Sequence, residues 1–130
     1  MNARTKMLVV DDDVKFTETL KDLLEEKCYD ASAVYNGYEA LERIKKEKFD
    51  IVLMDIKMPV MNGIEALREI NKMILRPVVI LMTGFTLEDL IKEALQEGAF
   101  AVLYKPLDIP ELLQRLDMAK GVVLRGASGE

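Results

Sequence analysis

Four short apolar runs, each closed by a polar group, set what this chain can fold into. Met7 to Val10 precede Asp11 and Asp12, Ile51 to Met54 precede Asp55, Val78 to Met82 precede Thr83, and Ala101 to Tyr104 precede Lys105. Runs of this length, rich in Val, Ile and Leu and separated by stretches of helical period, read as strands buried on both faces of a parallel sheet. Parallel strands point one way, so their C-terminal ends share one edge, and open α/β sheets hold their ligands in the crevice beyond that edge. Three carboxylates, a hydroxyl and an ammonium therefore converge there. Such a set suits a divalent cation and a phosphoryl group.

The helices between the strands announce their own starts. Asn36 with Glu39, Asn62 with Glu65, Thr86 with Asp89 and Asp108 with Glu111 each pair a capping residue with an acid three positions on, and each cap is worth about 1 kcal/mol. Behind them apolar residues recur at helical spacing: Leu41 and Ile44; Ile64, Leu67 and Ile70; Leu87, Leu90, Ile91 and Leu95; Ile109, Leu112, Leu113 and Leu116. The first helix carries the same stripe in Phe16, Leu20, Leu23 and Leu24. A weaker strand over Tyr29 to Val34, where Asp30 and Ser32 alternate with smaller or apolar residues, fits a sheet edge. Unbroken alternation of strand and helix predicts right-handed crossovers, with helices on both faces of one sheet. Residues 1–120 read as one domain. Residues 121–130, rich in Gly with Ala and Ser and without amphipathic period, read as a tail, either a frayed end, a linker stub or a cloning remnant.

Composition removes several function classes. The net charge of −5, from 23 acidic against 18 basic residues, offers no basic stripe to track a phosphate backbone, so direct nucleic-acid binding is not expected. One cysteine and no histidine leave no intrachain disulfide and none of the usual zinc patterns. With no apolar leader and no long apolar run, the chain reads as cytoplasmic and free of the membrane. Any histidine chemistry must come from another molecule. Asp11, Asp12 and Asp55, on strands about 5 Å apart if neighbours, either take up protons or hold a cation. Magnesium, which is hard and prefers oxygen, is the cation expected.

The runs MLVVDDD and IVLMDIKMPVMNG, the dipeptide Thr83-Gly84 after one strand and Lys105-Pro106 after another resemble, in order and spacing, the receiver domain of two-component response regulators, over residues 6 to about 118. The resemblance implies a doubly wound, flavodoxin-like sheet of five parallel strands in the order 2-1-3-4-5, with five helices. It implies that Asp55 is the phosphoacceptor, forming an acyl phosphate with a group donated by a sensor histidine kinase or phosphotransfer protein. Asp12 would bind Mg2+ directly, Asp11 mainly through water, and the backbone carbonyl of Lys57 would be a further ligand. Lys105 and Thr83 would each bond a phosphoryl oxygen. Gly84 would let the backbone approach that group closely, and the Lys105–Pro106 bond would be cis.

Such a chain is a phosphorelay module that assists its own phosphorylation and dephosphorylation and is not an enzyme with a turned-over substrate. By analogy its output or homodimer surface lies on the fourth and fifth helices, where Glu88, Lys92, Gln114 and Arg115 are expected to be exposed, and it acts on an output domain or target protein. One departure concerns the switch. Val102 stands three positions before the lysine, where many receivers carry an aromatic, which leaves Thr83 to pull its loop. Lys57 and Phe85, each two beyond a site residue, occupy positions that influence hydrolysis of the acyl phosphate, and the Phe85 ring is expected to slow it. A flavin site is disfavoured because Asp11 to Asp13 would repel an unescorted phosphate. A dehalogenase-type phosphatase normally has a second Asp where Lys57 stands, and a nucleotide hydrolase needs a P-loop that is absent from the sequence. A constitutive docking module remains the rival, and the completeness of the acidic set argues against it.

Overall fold

A computed structural model gives the structure of the chain and describes residues 4–85 and 87–127, with side chains as far as Val123. The apolar runs form β1 (Lys6–Val10), β3 (Ile51–Asp55), β4 (Val78–Thr83) and β5 (Ala101–Tyr104), and the weaker run forms β2 (Asp30–Val34). All pairings are parallel and the order is β2-β1-β3-β4-β5, so the alternating strand does lie at an edge. Between them run α1 (Val14–Glu26), α2 (Gly37–Lys46), α3 (Gly63–Ile70), α4 (Glu88–Gln96) and α5 (Ile109–Ala127). Among the described residues no helix is long and apolar enough to cross a membrane.

Successive strand residues face opposite sides, and the central strands are buried on both. Val52, Met54 and Leu81 join a core under α2 and α3, while Ile51, Leu53 and Ile80 join one under α1 and α5. The strand methionines Met7, Met54 and Met82 are wholly buried filler in these cores.

Three of the four caps form. Asn36 accepts from the Glu39 N–H at 2.8 Å and Asp108 from the Glu111 N–H at 3.1 Å. Asn62 and Glu65 make a reciprocal capping box, each bond 2.9 Å. The predicted cap Thr86 lies outside the described residues, and α4 begins behind Leu87, which makes no side-chain cap bond.

Two elements depart from the sequence pattern. The apolar stripe of α4 is only partly used: Ala94 is its buried residue, Leu90 and Ile91 are half-buried, and Leu87 and Leu95 are exposed. A small alanine brings the helix close to the sheet, so the larger side chains at its two ends stand outside the contact. The second departure is α5, which runs past Lys120, where composition predicts a tail, to Ala127. The series Leu112, Leu116, Ala119, Val123 continues at helical spacing across Gly121, and all four pack on the second core. Burial of Val123 offsets a helical glycine's penalty of about 1 kcal/mol. Residues 128–130 of the predicted tail lie outside the described residues.

Candidate functional site

The C-terminal edge of the sheet is built from short local devices. Asp11 follows β1, 1% exposed, and its Oδ1 accepts from the Asp13 N–H at 3.0 Å. Asp13 caps α1 by accepting from the Phe16 N–H at 3.1 Å, which separates its role from that of its two neighbours. The buried Thr17 hydroxyl shares its proton between the carbonyls of Asp11 at 3.1 Å and Asp13 at 2.7 Å, pinning the loop to the first turn of α1. Asp55 ends β3, and the next residue donates from Ile56 N–H to the Met82 carbonyl at 2.8 Å.

Adjacency of β1 and β3 then brings the acids together. Asp11, Asp12 and Asp55 each offer a carboxylate oxygen within 4.8 Å of the others. Lys105, carried by β5 two strands from β3, reaches back across the edge. Its Nζ lies 2.5 Å from Asp11 Oδ2 and 3.5 Å from Asp55 Oδ1. The Lys105–Pro106 bond is cis.

One ammonium does not balance three carboxylates. Burial, and then the negative charge of Asp11, push the Asp55 carboxyl up to about 6, against the opposing pull of Lys105. Burial works against the charge on Lys105, but its bond to Asp11 and the field of Asp55 outweigh that and hold its pKa above the ordinary value. A cluster of hard oxygen donors left short of positive charge is chemically fitted to a divalent cation.

The remaining expected residues lie around this cluster in different settings. Thr83 is fully buried at the end of β4, and its hydroxyl is engaged with its own loop, accepting from the Phe85 N–H at 3.0 Å and donating to the Phe85 carbonyl at 3.1 Å. Lys57, in the loop after Asp55, is exposed, with its ammonium 5.2 Å from the centre of the Phe85 ring. Val102 is half-buried and packs against the first core. Of the surface residues expected on the last two helices, Glu88, Lys92 and Gln114 are exposed and Arg115 is half-buried.

Three residues of the site escape the sequence pattern: Thr17, Gly63 and Phe16. A Cβ on Gly63 would stand 2.5 Å from the Asp55 carbonyl oxygen, so only glycine lets α3 start this close to β3. The Asn62-Gly63 pair marks the helix start in the sequence but carries no sign of this close approach. By contrast, a Cβ on Gly84 would meet no protein atom within 4 Å. Phe16, half-buried at the outer end of the α1 stripe, sets its ring 4.6 Å from the Lys105 ammonium.

Comparison with known proteins agrees with this architecture. The family model described as "Response regulator receiver domain" matches residues 7–117. The transcriptional regulatory protein ZraR of Salmonella typhimurium is 36% identical over 119 residues, covering 92% of this chain and 27% of that protein. The CpxR homolog of Haemophilus influenzae is 39% identical over 125 residues, covering 95% of this chain and 52% of that one. The signal receiver domain of a putative Luxo repressor protein from Vibrio parahaemolyticus superposes with a TM-score of 0.91 at 26% identity, covering 98% of each chain. The chain thus spans between about a quarter and a half of the length of these two curated relatives. With the family model covering nearly all of the sheet and its acidic edge, the chain belongs to the response regulator receiver domain family.

Proposed function

We propose that this chain receives a phosphoryl group on Asp55 from the phosphohistidine of a sensor kinase or phosphotransfer protein and passes the signal on through a changed surface. The observation that carries this reading is the lysine bridge. Lys105 lies between Asp11 and Asp55 beside a three-carboxylate cluster, so nucleophile, cation donors and a positive charge share one edge.

In the proposed step an Asp55 oxygen attacks phosphorus, the phosphorus–nitrogen bond of the donor breaks, and its electron pair returns to the donor's imidazole. The loose transition state of phosphoryl transfer asks mainly for alignment and for neutralised equatorial oxygens. Lys105 supplies one positive charge by turning from Asp55 to a phosphoryl oxygen. Asp11, Asp12, Asp55 and the Lys57 carbonyl would hold Mg2+, which when bound supplies the remaining neutralisation. Thr83 would exchange its bonds to Phe85 for one to the phosphoryl group, drawing the loop ahead of α4 with it. Val102 offers no aromatic to turn inward, so the loop itself carries the change. The Lys57–Phe85 stack stands where water would approach, and it slows hydrolysis.

Leu87 just ahead of α4, Leu95 on α4, Tyr104 on β5 and Met118 on α5 are each about half exposed, so these elements carry apolar side chains that the two cores do not cover. That supports an output or homodimer face on these elements. The unmatched length of the curated relatives leaves room for an output domain, and a cytoplasmic setting fits a donor kinase. Incubating the chain with Mg2+ and acetyl phosphate, then measuring intact mass, tests the site. One phosphoryl addition is expected, lost with chelator and in Asp55→Asn. Addition that persists in Asp55→Asn would overturn the assignment.

A further inference from the structure

We infer that Phe16 is a positioning residue for Lys105, holding the ammonium inside the site by the face of its ring. This inference rests on the reading of Asp55 as phosphoacceptor. Lysine has a flexible four-carbon stem and a strongly hydrated head, so geometry at its tip has to be imposed by neighbours. Two such neighbours are carboxylates, Asp11 at 2.5 Å and Asp55 at 3.5 Å. The third is the Phe16 ring at 4.6 Å from its centre, the shortest of the cation–ring contacts among the described residues.

The negative face of an aromatic ring attracts a cation, and the attraction grows as water is excluded. The Lys105 side chain is 24% exposed, so the ring takes a place that water would otherwise fill. Phe16 packs half-buried against the second core, as Leu23 of the same stripe does, but only Phe16 stands at the site end of α1, one turn beyond the Asp13 cap, where its ring also meets the ammonium. A leucine there would fill similar space without a π face. The ammonium would then be held by its two carboxylates alone and would turn toward solvent more often between encounters with a donor.

The test compares wild type, Phe16→Leu and Phe16→Tyr, each also combined with Lys105→Ala. Two readouts are taken: the rate of phosphoryl uptake from acetyl phosphate with Mg2+, and the proton NMR shift of the Lys105 ε-methylene without donor. Phe16→Leu is expected to slow uptake about three- to tenfold while Phe16→Tyr stays near wild type. In Lys105→Ala the leucine change should add nothing, because two residues acting through one contact are not additive. Loss of the ring current should move the ε-methylene signal downfield in Phe16→Leu. No uptake by wild type would overturn the reading of Asp55. Uptake that Phe16→Leu leaves unchanged, equal slowing in the Lys105→Ala background, or an unmoved ε-methylene signal would overturn the role of Phe16 alone.

Discussion

At the scale of single residues the site stores an electrostatic imbalance, and Asp55 carries the measurable part of it. Burial, and then Asp11, disfavour its charge and push the carboxyl from an ordinary 3.8 up to about 6. A carboxyl whose folded pKa is raised binds its proton more tightly when folded. It therefore contributes stability that is complete below about 4 and is lost as pH rises through about 6. In chelator, the wild type should lose on the order of 2 kcal/mol relative to Asp55→Asn between about pH 4.5 and pH 7.5. Urea midpoints of the two proteins across that range measure the difference. Parallel pH profiles would mean that Asp55 is not held against its charge.

At the scale of elements, what the sequence discloses and what it hides have different physical origins. Strand ends are legible because a parallel sheet turns four separate apolar runs into one edge, and caps are legible because they act within three residues. The path of Lys105 to Asp11 is hidden, since its long side chain can reach several partners from the same backbone position. Phe16 reads as core because helical period is blind to what lies beyond the end of a stripe. The continuation of α5 is masked by Gly121, whose weak propensity is overridden by the packing of Val123.

Gly63 shows the same limit most directly. Its need for a missing Cβ comes from the distance between the start of α3 and the end of β3, which no local pattern encodes. Gly63→Ala would press a methyl group to 2.5 Å from the Asp55 carbonyl oxygen and 3.0 Å from the Ile56 Cα, both backbone atoms that cannot swing aside. Moving α3 or β3 apart should cost about 1–3 kcal/mol, as overpacking does. It should also slow phosphoryl uptake more than an equally destabilising change remote from the site. Uptake and urea midpoint together check this, and an alanine variant like wild type in both would contradict the close approach.

At the scale of the whole molecule, one sheet serves two cores and the site, so the three should stand or fall together. Ile80 and Leu81 are neighbours on β4, both fully buried, yet Ile80 packs in the core under α1 and α5 and Leu81 in the core under α2 and α3. Truncating either to alanine removes a side chain's burial and leaves a cavity, at about 2–5 kcal/mol. If the faces were separate units, Ile80→Ala would loosen α5 alone and Leu81→Ala would loosen α3 alone. A shared sheet predicts otherwise: the loss is passed to the opposite face, because β4 cannot detach from one core while remaining in the other. Hydrogen exchange of amides in α3 and α5 distinguishes the cases. Each variant should lower the opening free energy of the best-protected amides in both helices by the same amount. Selective deprotection of the helix nearer the substitution would show two independently stable halves, and the acidic edge would then depend on only one of them.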